Sequence, residues 1–164
     1  MKKSILGLFA GLLVIPPLMV GCGGSGGFFS ALVDSVTFQR SGGRYSLLQG
    51  LVVFLVPQLA VVQDLRVLVR RLDEDTSDTR RIRGTRINMS VKSGLIEKPI
   101  GLTIKYEPED VPAGIEESKL AVYRKQEGVY TRVAGSTVDA EQNTVTAEVK
   151  PSADEAEYVV RVDP

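Results

Sequence analysis

Leu102-Thr103-Ile104-Lys105-Tyr106-Glu107 decides the fold: apolar Leu102, Ile104 and Tyr106 alternate with polar Thr103, Lys105 and Glu107. Successive side chains of an extended strand point to opposite faces, so a period of two puts one set on a packed face and the other in water. The pattern recurs on both sides of this stretch. Upstream, Ile87, Met89 and Val91 alternate with Asn88, Ser90 and Lys92. Downstream, Val129, Thr131 and Val133 alternate with Tyr130 and Arg132, and Val145, Ala147 and Val149 with Thr146, Glu148 and Lys150. Tyr158, Val160 and Val162 close the chain in the same way. Turn formers (Gly94, Pro99, Pro108, Pro112, Gly114, Gly128, Gly135 and Pro151) and the polar link Asp139 to Asn143 separate the runs. Short strands at this spacing predict an all-β chain, an antiparallel β-sandwich or barrel.

Further upstream the pattern loosens. Leu47 to Val62 is almost continuously apolar, but Gln49, Pro57 and Gln58 interrupt it, and Val52, Val53 and Val56 suit a strand better than a membrane helix. The expectation is a strand from Leu51 to Val56 buried on both faces. From Gln58 to Leu72 two patterns compete. Val61, Leu65, Leu68 and Leu72 follow helical spacing, whereas Leu65, Val67 and Val69 alternate as in a strand.

The first residues carry an address. Lys2 and Lys3 precede an apolar run from Ile5 to Val20, and small Gly21 stands before Cys22, the only cysteine in the chain. This is the pattern of an export signal, and it is similar to the lipobox of bacterial lipoproteins, with Met19 where that family usually has Leu. The resemblance implies a diacylglycerol thioether on Cys22 after cleavage between Gly21 and Cys22. A spanning helix needs roughly 20 apolar residues, and Pro16-Pro17 break this shorter run. An ordinary secretory signal would leave Cys22 an unpaired thiol in an oxidising compartment. Gly23, not Asp, follows the cysteine; by the sorting pattern of enteric bacteria that implies the outer membrane rather than the inner one, facing the periplasm or the cell surface. Gly21 to Gly27 holds five glycines and reads as a flexible tether, reaching roughly 5–6 Å times the square root of its length.

Composition narrows the chemistry. The chain has 20 basic and 20 acidic residues; losing Lys2 and Lys3 with residues 1–21 leaves 18 against 20, so nothing in the overall charge points to nucleic acid. The 43% hydrophobic and 24% charged fractions describe a folded domain. Histidine is absent, which removes the commonest general base and metal ligand together with serine- and cysteine-histidine catalysis. Acylation of Cys22 would remove the one thiol. Neither a cofactor nor a metal site is expected, and an enzyme is the less favoured reading.

From about Ser41 to Val162 the chain resembles the bacterial members of the ZU-five-like β-sandwich family. The resemblance rests on Gly42-Gly43-Arg44-Tyr45-Ser46, on the strand ending Leu55-Val56-Pro57, on Pro99 to Tyr106, on Val111 to Leu120, and on the closing stretches Gly135 to Asp139 and Asn143 to Val149. It implies a single sandwich over residues 31–164, and a strand rather than a helix within 58–72. Gln58-Leu59-Ala60 replaces the family's Gly-Ala after the strand-ending proline, and Tyr130 stands alone where an aromatic pair is common. Some relatives carry a self-cleaving His-Phe-Ser after the last hairpin. Here Val149-Lys150-Pro151-Ser152 stands in its place, and self-cleavage is not expected.

The local charge clusters admit two readings each. Arg70, Arg71, Arg80, Arg81, Arg83 and Arg86 form a locally basic region able to grip a polyanion such as lipopolysaccharide phosphate bidentately. The plainer reading is a solvated loop balanced by Asp73, Glu74, Asp75 and Asp78. The acidic run Asp73 to Asp78 hints at calcium but lacks the glycine and the terminal bidentate Glu of an EF-hand loop, and a solvated loop is the simpler reading. Asn88-Met89-Ser90 fits a glycosylation sequon that a bacterial lipoprotein would not ordinarily present to that machinery. Glu107, Glu109, Asp110, Glu116 and Glu117 would have to converge in pairs to hydrolyse a glycan; surface charge is the simpler account. The expectation is therefore a signal peptide (1–21), a lipid-anchored tether (22–30) and one domain (31–164) with a non-catalytic binding or assembly role toward an envelope protein. A carboxylate hydrolase and a polyanion-binding lipoprotein are the alternatives.

Overall fold

The computed structural model describes residues 32–72, 77–92, 94–151 and 155–164. The signal segment, Cys22, the tether and most of the acidic run at 73–76 lie outside them. Eleven strands follow in chain order among the described residues: β1 (Val33–Phe38), β2 (Gly43–Leu47), β3 (Val52–Val56), β4 (Leu65–Arg71), β5 (Ile87–Val91), β6 (Ile100–Lys105), β7 (Leu120–Gln126), β8 (Val129–Arg132), β9 (Thr137–Asp139), β10 (Thr144–Val149) and β11 (Ala156–Val162). They form a six-stranded sheet, β1-β4-β5-β11-β7-β8, and a five-stranded sheet, β2-β3-β6-β10-β9. Every pairing in both sheets is antiparallel. The two sheets pack face to face as a β-sandwich, and no helix among the described residues is long and apolar enough to cross a membrane.

The alternating residues become the core. Leu102, Ile104 and Tyr106 turn inward with Val145, Ala147 and Val149 from β10, and with Val52, Phe54 and Val56 from β3. From the opposite sheet come Leu65, Val67 and Val69, then Ile87, Met89 and Val91, and Tyr158, Val160 and Val162. Phe38 meets Phe54 edge-on with ring centroids 5.3 Å apart, a geometry that suits the aromatic quadrupoles. On the outer face of the five-stranded sheet, Thr103 and Thr146 are cross-strand neighbours whose hydroxyls lie 2.9 Å apart.

Two expectations need correcting. β3 is not buried on both faces: Val53 is half-buried and Leu55 is 61% exposed, because no further layer covers the outside of the five-stranded sheet. The apolar run there does not mark a central position. In β8 the packed side is the reverse of what apolar counting suggests. Val129 is 64% exposed, whereas Tyr130 packs on Ala121, Tyr123 and Val159. β8 is an edge strand, and its inner-facing positions lie at an open corner of the sandwich. Within 58–72, the strand is Leu65–Arg71; before it, Val61 makes an isolated bridge to Ile96. Pairing with β1 and β5 overrides the helical spacing.

The crossing from β1 to β2 is held by its own residues. Gly42 adopts a φ of 77° and donates its N–H to the Gln39 carbonyl at 2.9 Å. The Tyr45 hydroxyl accepts the Gln39 N–H at 2.9 Å beneath it. A β-carbon on Gly42 would stand 2.6 Å from the Val56 carbonyl oxygen, while one on Gly114, at φ 81°, would meet open space. Both substitutions to Ala incur the left-handed penalty of about 1–2 kcal/mol. Gly42→Ala adds a backbone clash and is expected to lower the urea midpoint clearly further than Gly114→Ala; equal midpoints in equilibrium unfolding would show that the crossing is not tight.

Candidate functional site

The arginines of the basic region fall into different environments. Arg70 is exposed on the outer face of β4, between Val33 of β1 and Asn88 of β5. Arg71 lies across Gly84, its guanidinium 2.9 Å from where a β-carbon would stand. Arg83, 70% exposed, pairs with Asp110 at 3.0 Å. Arg86 grips both oxygens of Glu157, at 2.7 and 3.0 Å. Arg80 is exposed and Arg81 buried. The reason is the backbone. Ile82 donates to the Val160 carbonyl and Val162 donates to the Arg80 carbonyl, so residues 80–82 run beside β11 as a strand-like continuation of β5. Asp78 reaches past the loop arginines to Arg161 of β11, at 3.0 Å.

A second cluster, unmarked by any sequence motif, covers the outer face where β7, β8 and β11 meet. The Arg161 guanidinium lies 3.9 Å from the ring centre of Tyr130 and 5.3 Å from that of Tyr123. The Lys125 Nζ lies 5.1 Å from the ring centre of Tyr130 as well. The Tyr123 hydroxyl donates to Asp163, whose second oxygen takes Arg132 at 2.9 Å. Burial first, and then the Asp163 carboxylate, push the Tyr123 hydroxyl above the usual tyrosine range. The signals in the sequence are Arg161 standing among Tyr158, Val159, Val160 and Val162 of the final strand, and the lone aromatic Tyr130.

The carboxylates considered for hydrolysis are engaged separately. Asp110 holds Arg83, Glu116 accepts from the Ser118 hydroxyl at 3.4 Å, and Glu117 accepts from the Tyr106 hydroxyl at 2.6 Å. No group of three or more acidic or thiol side chains among the described residues is placed to hold a metal ion.

Three surfaces remain open to a partner. The sheet edges are β1 and β8 in one sheet and β2 and β9 in the other. Beside Leu32, where the described chain begins, a cleft of about 260 Å³ is lined by Leu51, Arg71, Arg83, Lys105 and Asp110. At the other end of β1, exposed Leu59, Val62 and Leu95 project from the loops that precede β4 and follow β5.

Two measurements follow from these pairs. The Arg161 and Asp78 side chains are 10% and 15% exposed, and removing one member of a buried pair strands the other charge. Arg161→Gln is expected to cost about 3 kcal/mol, against about 0.5 kcal/mol or less for Arg83→Gln at the surface; urea denaturation of both variants compares them. Tyr106 supplies a pH test. Burial first, then its bond to Glu117, hold its hydroxyl well above the ordinary 10.0. A raised folded value means that the stabilisation is complete below the unfolded value and is lost as pH rises through the folded one. Stability is therefore expected to fall as pH is raised beyond about 10, and less steeply in Tyr106→Phe, in urea midpoints across that range.

No protein-family model matches the chain, and no curated protein is significantly similar to it.

Proposed function

We propose that this chain is a lipid-anchored protein of the bacterial cell envelope whose sandwich binds a protein partner, without catalysis, and that the domain is of the ZU-five-like kind. The anchor reading is carried by Cys22 directly after Gly21 and the apolar run from Ile5 to Val20. Diacylglycerol on Cys22 would hold the chain to lipid, since each buried methylene contributes about 0.8 kcal/mol and two chains make attachment lasting. Gly23 in place of Asp supports the outer membrane, with the domain facing the periplasm or the surface.

The binding reading is carried by the open edges. An edge strand exposes a row of unpaired backbone N–H and C=O groups, and an extended segment of another protein adds to it by main-chain hydrogen bonds. β2 offers five residues and β8 four. Exposed Arg44 on β2 is an edge charge of the kind that disfavours pairing with copies of the same chain. Its sign suits an acidic partner segment.

Metabolic labelling with a fatty-acid analogue tests the anchor. The wild type is expected to incorporate label and sediment with membranes, and Cys22→Ala to do neither. An unlabelled wild-type protein with an intact N-terminal Met1 would sink the reading. For the partner, crosslinking in intact envelopes through β2 and through β8 is expected to recover a reproducible protein; crosslinks to lipid alone would argue for the polyanion-binding alternative.

A further inference from the structure

Arg124 interrupts the inner face of β7. Leu120 and Val122 on that face are core residues. Two positions on, the register sets Arg124 opposite Tyr158 of β11 and Thr131 of β8. A cleft of about 330 Å³ opens there, between β7, β8 and the end of β10. Its charged lining is Arg124, Arg132, Lys150 and Glu148, and Thr131 and Tyr158 supply hydroxyls.

The Arg124 Nε is buried and has no hydrogen-bond acceptor among the described residues. An ionised donor left unsatisfied in a packed protein is unfavourable, and each such group calls for an explanation. Arg132 is already balanced by Asp163 at 2.9 Å. Among the described residues that line the cleft, the unbalanced charges are therefore Arg124 and Lys150 against Glu148, an excess of one positive charge. Burial holds the Tyr158 hydroxyl above the usual tyrosine range, and the neighbouring Arg124 only partly offsets this. Near neutral pH it stays protonated and able to donate.

We propose that this cleft binds a carboxylate group, seated on the Arg124 guanidinium, with Lys150 at the rim and the Thr131 and Tyr158 hydroxyls beside it. The guanidinium fork matches a planar carboxylate. A single negative charge cancels the excess of one among the described lining residues, whereas a phosphate dianion would leave that lining net negative beside Glu148. The carboxylate has two possible sources, a small free acid or an acidic side chain of a peptide lying along β8. Thr131 belongs to both the cleft and that edge strand.

The inference needs neither the lipid anchor nor strand addition, so its failure and theirs are separable. The test is NMR on the full chain in detergent micelles, following the Arg124 Nε–Hε signal identified by its loss in Arg124→Gln. Three probes are titrated: N-acetylglutamate, a blocked Val-Thr-Val-Glu-Val peptide amide, and inorganic phosphate. Saturable shifts of the Arg124 signal with the first two, weakened by salt, are expected. Comparable affinities for both probes would identify a free acid as the source, and about tenfold tighter binding of the peptide would identify the strand-borne side chain. Lys150→Gln, at an exposed position, is expected to weaken binding about threefold without altering the fold. Tighter binding of phosphate than of either carboxylate probe, binding unchanged in Arg124→Gln, or no saturable shift with either carboxylate would overturn the proposal.

Discussion

The pairing of the last strand, β11, is the interaction on which the rest of the domain depends. β11 lies in the middle of the six-stranded sheet, bonded along one side to β7 and along the other to β5 and to the segment around Arg81. Its inward residues Tyr158, Val160 and Val162 complete the core. Without β11 the sheet would divide into β1-β4-β5 and β7-β8, each with an apolar face lacking a neighbour. On the β5 side the contacts that prevent this join residues about 70 positions apart, such as Arg86 with Glu157 at a separation of 71. Loop closure on that scale comes before its reward, so sandwiches of this kind assemble slowly compared with helical proteins.

The same strand sets the electrostatics of the outer face. A central strand has side chains on two faces, and the face turned away from the core still has to be satisfied. β11 places Glu157, Val159 and Arg161 there. Glu157 takes Arg86, and Arg161 lies between Asp78 and the rings of Tyr123 and Tyr130. These charges are mostly withdrawn from water, so their attraction is less screened than at a free surface, and their desolvation is correspondingly costly. Their role is best understood as specifying the register of the sheet. A one-residue slip of β11 would turn Arg161 into the core and Val160 into the charged layer.

The inner face offers a contrast. Arg124 occupies a core-facing position at an open corner of the sandwich, opposite Thr131 of the edge strand β8. A long side chain with a polar head is suited to that boundary, because its stem packs while its head reaches the cleft. Edge strand, cleft and exposed Val129 thus meet at one corner. The other cleft, lined by Arg71, Arg83 and Lys105, lies beside Leu32, where the described residues begin.

Local pattern alone determined the strands. Leu102, Ile104 and Tyr106, and equally Val145, Ala147 and Val149, alternate because a pleated chain with one packed face demands it, and that demand is readable without any neighbour. The lone cysteine behind an apolar run is likewise a local signal, and the anchor proposal rests on it alone. What only the tertiary structure decided depends on which strands lie side by side and what covers each face. Leu55 is exposed because its sheet has nothing outside it. Tyr130 is packed because Arg161, distant in sequence, lies over it. The Asp78 carboxylate reaches the Arg161 guanidinium besides taking the N–H of neighbouring Arg80, and Arg124 faces a cleft that opens between β7, β8 and the end of β10. A residue's periodicity reports its own backbone, whereas its partners are set by chain closure over many tens of residues, which periodicity does not encode.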